Sequence, residues 1–83
     1  MDIENVKARI KELLCENLGI DEDVLEYDTE LFGELIDLDS IDSMTIIAVI
    51  DDEYGVSMTG VDREHFQTVE TLAAYVVSHM ENE

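Results

Sequence analysis

Ser40 stands between two carboxylates, Asp39 and Asp42, directly before an apolar run that closes on Asp51, Asp52, Glu53 and Gly55. A serine in this setting has three chemical uses: to attack, to be modified, or to cap a helix. Attack in a self-contained hydrolase requires a nearby base and an oxyanion site. The two histidines, His65 and His79, fall late in the chain and read as ordinary surface or helix-end residues, and no Gly-x-Ser-x-Gly elbow surrounds the serine. Capping is the plain reading, since Ser or Asp at a helix start accepts free backbone N–H groups and Asp42 suits the positive end of the helix dipole. Presentation of the hydroxyl to a modifying enzyme is the third use.

The crowding of Asp37, Asp39 and Asp42 raises calcium binding, which the register does not support. A 12-residue loop begun at Asp37 puts Ile41 fifth, Asp42 where glycine is required and Ala48 where the bidentate glutamate belongs. A loop begun at Asp21 fails with Leu25 fifth and Glu26 sixth. No metal site is expected. Cys15 cannot form an internal disulfide, because it is the single cysteine, and beside Leu13 and Leu14 it reads as a small, partly buried core residue.

The elements that hold the serine follow from apolar spacing. Ile3, Val6, Ile10, Leu13, Leu14 and Leu18 recur at three and four residues, which predicts a helix capped by Asp2 and stopped by Gly19. Residues 20–38 lack a sustained period and read as a long connection anchored by Ile20, Val24, Leu25, Leu31, Phe32 and Leu35, with a helical turn around Thr29 to Leu31. Residues 40–54 contain β-branched Ile46, Ile47, Val49 and Ile50, which suit a strand. Length, the acidic exit and the absence of alternation favour a helix with Ile46, Ile47 and Ile50 toward the core. Ile41, Met44, Thr45 and Ala48 then fall on a more exposed side, with Met44 either docking surface or peripheral core. Residues 57–67, with Gly60, Asp62 and Phe66, predict a loop and a short third helix. Thr68 caps a last helix whose face is Val69, Leu72, Ala73, Val76 and Val77. The expectation is an all-α fold, a small four-helix bundle with a long first loop and a short third helix, forming a single domain over 1–83.

Eighty-three residues make one small domain, and 46% hydrophobic content is enough for a core despite the charge. Twenty-two acids against four bases leave a net charge of −18. Such a field repels nucleic acids and anionic membrane surfaces and attracts basic protein faces. Lys7, Arg9 and Lys11 lie early and Arg63 late, so residues 12–62 carry no lysine or arginine. The longest strongly apolar run, IIAVI, is far too short to span a membrane. The reading is a soluble, cytoplasmic monomer.

Asp39-Ser40-Ile41-Asp42 resembles the Asp-Ser-Leu-Asp signature of acyl carrier proteins, with Ile41 in place of leucine. SMTIIAVIDDEYGV continues the family's helix closed by acids, an aromatic and a glycine, and Thr68-Val69 and Tyr75-Val76 fall where the family places its last helix. The resemblance covers nearly the whole chain. It implies that Ser40 carries a covalent 4′-phosphopantetheine taken from coenzyme A, and that acyl groups ride on it as thioesters. It also implies that the chain performs no bond-making itself. The implied partners are a phosphopantetheinyl transferase, an acyl- or adenylate-loading enzyme, and synthases and transferases with basic docking faces. Docking is assigned, by the resemblance and expected exposure, to Asp39, Ile41, Asp42, Met44, Thr45, Ala48, Asp51 and Asp52. Two departures point away from the usual fatty-acid synthase: Ile36-Asp37-Leu38 replaces a glycine-alanine stretch and is one residue longer, and Thr45 stands where an acid is frequent. An aminoacyl carrier loaded by an adenylating enzyme is the near alternative, and an acidic helical interaction or inhibitor protein the alternative of a different class.

Overall fold

The first helix starts where a carboxylate can receive its free amides. Asp2 is extended (φ −81°, ψ 118°) and accepts the Glu4 N–H at 3.0 Å, opening α1 (Ile3–Leu18). Gly19, at φ 68°, ends it in the left-handed conformation that glycine adopts without steric cost. In the computed structural model, which describes residues 2–34 and 36–81, two further α-helices follow: α2 (Ser40–Tyr54) and α3 (Val69–Glu81). Among the described residues there is no strand, so the β-branched run in α2 is helical.

Of the expected four-helix bundle, the described residues form three α-helices, with a 3-10 turn, Arg63–Phe66, in the place of the short third helix. Four residues carry a single buried apolar anchor, Phe66, which is too little to drive a further α-helix; the tighter turn is enough to swing that ring into the core. α3 opens on a reciprocal pair in which Thr68 Oγ1 accepts the Thr71 N–H at 3.2 Å and Thr71 Oγ1 accepts the Thr68 N–H at 3.0 Å.

One core joins the elements. Val6, Ile10 and Leu14 of α1 meet Ile46 and Ile50 of α2, Met58 and Phe66 of the third segment, and Val69, Leu72 and Val76 of α3. The long connection feeds the same core through Leu25 and Leu31, both fully buried. Backbone bonds fasten it to the end of the 3-10 turn, Leu31 N–H to the Gln67 carbonyl at 2.7 Å, and to α3, Glu70 N–H to the Tyr27 carbonyl at 3.1 Å. Two expectations for this connection are corrected. Val24 is 38% exposed and anchors nothing, and the turn falls on Tyr27-Asp28, closed by Thr29 N–H to the Glu26 carbonyl at 3.3 Å, with no helical turn at 29–31. Leu35, expected as an anchor, lies outside the described residues.

α1 and α2 are also clamped at their surfaces. Arg9 Nε and Nη2 donate to the two Glu53 carboxylate oxygens, each at 3.1 Å, a bidentate pair that also holds Glu53 below the usual carboxylate range. Arg9 further pairs with Glu12 one turn along.

Candidate functional site

The start of α2 is built by its two carboxylates, with the serine left out. Asp39 Oδ1 accepts the Ile41 and Asp42 N–H groups at 3.0 and 3.1 Å, and Asp42 Oδ2 accepts the Asp39 N–H at 3.1 Å. This is a complete capping box with Asp39 as N-cap, so Ser40 is the first helical residue rather than the cap. Its side chain is exposed, and the cap makes no use of its hydroxyl. The sequence reading missed this division of labour, although the signal, two acids three residues apart, was visible. The same geometry occupies most of the amides at the helix start. The first-turn amides of Ile41 and Asp42 already serve Asp39, and the Ser43 N–H goes to the Asp39 carbonyl at 3.2 Å.

Ser40 sits on the rim of a cleft of about 170 Å³. Its apolar lining comes from the long connection (Phe32), α2 (Ile47) and the 57–66 segment (Met58, Val61, Phe66), with Ser43, Gly60 and Arg63 as the polar remainder. A cavity of about 150 Å³ lined by aliphatic side chains holds a benzene-sized group. By volume the cleft has room for an apolar group of about six carbon atoms.

Around Ser40 the remaining expected residues divide by exposure. Ile41 and Met44 are 71% and 68% exposed, large apolar side chains left in water on one side of α2, which settles Met44 as surface. Asp39, Ala48, Asp51 and Asp52 are exposed as well. Asp42 and Thr45 are half-buried: Asp42 is engaged in the cap, and the Thr45 hydroxyl turns back toward the Ile41 carbonyl at 3.5 Å. Ile46 and Ile50 are fully buried, and Ile47 is half-buried, packed against the core and lining the cleft.

A family model described as a phosphopantetheine attachment site matches residues 8–76. An acyl carrier protein of Lactobacillus acidophilus is 32% identical over 79 residues, covering 95% of this chain and 98% of the relative. The chain belongs to the acyl carrier protein family. As an acyl carrier protein it is a carrier rather than a catalyst, and the group such proteins hold covalently is 4′-phosphopantetheine. The residues present suit that group: an exposed hydroxyl free of its helix cap stands at the mouth of an apolar cleft.

The other reactive side chains of the carrier are spent on structure. Burial pushes the Cys15 thiol up, away from the thiolate that would react. The two histidines flank Tyr75, His65 edge-on at 5.3 Å and His79 stacked at 4.0 Å between ring centroids. Among the described residues no three carboxylates, cysteines or histidines are gathered for a metal ion. No helix among them is long and apolar enough to cross a membrane.

Proposed function

We propose that Ser40 is the attachment residue, and that this carrier, acting as a single domain and as a monomer in the cytoplasm, presents acyl thioesters to enzymes of fatty acid, specialised lipid or polyketide synthesis. The observation that carries the reading is the Ser40 side chain, exposed on the first turn of α2, outside the cap and above the cleft. In loading, the serine oxygen displaces the nucleotide half of coenzyme A at the pantetheine phosphate: one O–P bond forms, one breaks, and the serine proton leaves to a base of the transferase. The bound group supplies a terminal thiol on which the acyl chain is held.

The chain's own residues supply recognition. Ile41, Met44 and Ala48 offer an adaptable apolar strip, and Asp39, Asp51 and Asp52 surround it with negative charge, joined by the half-buried Asp42 and Thr45. A surface of this kind suits basic partner faces that meet quickly and part quickly, as a carrier's successive deliveries require. The partners are a phosphopantetheinyl transferase, an acyl- or adenylate-loading enzyme, and the synthases and transferases that use the cargo. The half-buried Thr45 brings no charge to the strip, which supports a dedicated partner set over a general fatty-acid synthase.

Intact mass after incubation with coenzyme A and a broad-specificity phosphopantetheinyl transferase tests the assignment, with Ser40→Ala alongside. A gain of one phosphopantetheine lost in the variant is expected. A folded protein that gains no mass beside a carrier that does would overturn it in favour of an acidic interaction protein.

A further inference from the structure

A chain with 22 acids leaves few guanidinium groups unpaired, and one of them overlooks the cleft. Lys7 pairs with Glu4 at 2.9 Å, and Arg9 is bidentate to Glu53. Arg63, the sole lysine or arginine after residue 11, makes no ion pair with any described residue. Its neighbour Glu64 faces His65 at 3.7 Å instead. The Arg63 guanidinium lies 5.9 Å above the Phe32 ring and lines the same cleft as Ser40.

The start of α2 makes that position consequential. A phosphodiester formed on the Ser40 oxygen would stand between the Asp39 and Asp42 carboxylates, where the first-turn amides already serve Asp39. Like charges this close repel, and two of the N–H donors that usually compensate at a helix start, those of Ile41 and Asp42, are taken by Asp39. The cleft itself contributes one cation, Arg63.

We propose that Arg63 is the counter-charge for the phosphodiester on Ser40, leaving Phe32 to pair with it once the chain is loaded. The proposal rests on Ser40 being the attachment residue. Arg63 is a positioning residue in this role: it fixes the root of the arm over the cleft and offsets two carboxylates that the capping box holds in place.

The test compares unloaded and phosphopantetheinylated forms of the natural protein, Arg63→Gln and Arg63→Lys, with loading verified by intact mass before any other measurement. The melting temperature and the phosphorus-31 resonance of the diester are then read at low and high salt. Arg63→Gln is expected to lower the melting temperature of the loaded form by about 2–5 °C more than that of the unloaded form, the scale of a partly exposed ion pair in a domain of this size. The difference should shrink at about 0.5 M salt, be partly restored by Arg63→Lys, and accompany a moved phosphorus resonance in the glutamine variant. Equal shifts in loaded and unloaded protein with an unmoved resonance would overturn the proposal and leave Arg63 as a lid on Phe32. Absence of loading in the natural protein is the separate failure, that of the Ser40 assignment, and removes the proposal with it.

Discussion

Three of the four residues 39–42 at the start of α2 divide one task. Asp39 takes two amides, Asp42 returns the bond, and Ser40 between them is left without a structural duty in the cap. Asp39→Ala should therefore destabilise the protein by about 1 kcal/mol, the worth of a lost N-cap. Ser40→Ala should stay within about 0.5 kcal/mol of the natural protein, since alanine is a good helix former at a position whose hydroxyl caps nothing. Paired denaturant titrations separate the two, and a larger loss at Ser40 than at Asp39 would contradict the assignment of the cap. Asp37 carries a different burden. The backbone turns through φ 55° at Asp37, a conformation that aspartate tolerates and β-branched residues do not. Asp37→Val is expected to cost about 1–2 kcal/mol in the same titration, while Asp37→Gly should be near neutral or stabilising.

At the scale of the element, α2 is both a core helix and a docking face, and charge reversals along it are not equivalent. Asp51 is exposed and three turns from the cap, so Asp51→Lys should slow acyl transfer by partner enzymes several-fold at low salt while leaving circular dichroism and stability unchanged. Asp42→Lys removes an acceptor from the capping box and sets a positive charge at the positive end of the helix, so it should slow transfer and destabilise the helix together. Identical stability of the two variants would show that the capping box does not matter. The clamp between α1 and α2 has its own signature in pH. Arg9 lowers the Glu53 pKa from its ordinary value of 4.5, so the folded state binds that proton less readily than the unfolded chain. The contribution is fully present above about 4.5 and is lost as pH falls through the lower folded value, which means that stability should fall on acidification. Glu53→Gln should flatten that acid-side slope, measured as the melting temperature from pH 6 down to pH 3, a range set about the ordinary carboxylate pKa.

The whole molecule adds what no single helix provides, a cleft whose walls come from three separate stretches of chain. Phe32, Ile47, Met58, Val61 and Phe66 converge below Ser40 only because the long connection and the 3-10 turn are drawn onto the same core as α2. At about 170 Å³ the space suits about six carbons, so short acyl cargo should protect the loaded protein most. Across a series of acyl forms the melting temperature is expected to rise to about a hexanoyl chain and then level or fall, as longer chains must part Met58 and Phe66 or lie in water. A steady rise to long chains would mean that the core opens with little cost.

Periodicity and end signals alone determined three helices: apolar residues at three and four spacing, Asp2 and Gly19 around α1, Gly55 after α2 and Thr68 before α3 are local devices, and local energies are written in neighbouring residues. The Asp-Ser-Ile-Asp string likewise marked the serine before any fold was known. Other features depended on residues far apart in the chain. Val24 and Leu25 are adjacent and both apolar, yet only Leu25 is buried, because the course of the connection is set by the bonds of Tyr27 to α3 and of Leu31 to Gln67 just before it. The 63–66 stretch is a 3-10 turn because its single apolar side chain must reach the shared core from a short span. Arg63, unremarkable in a loop of the sequence, comes to line the same cleft as Ser40 by the same packing. Tertiary structure decided these points for one physical reason: burial and cleft walls are properties of surfaces brought together from separate stretches of the chain, and a spacing pattern describes only one surface at a time.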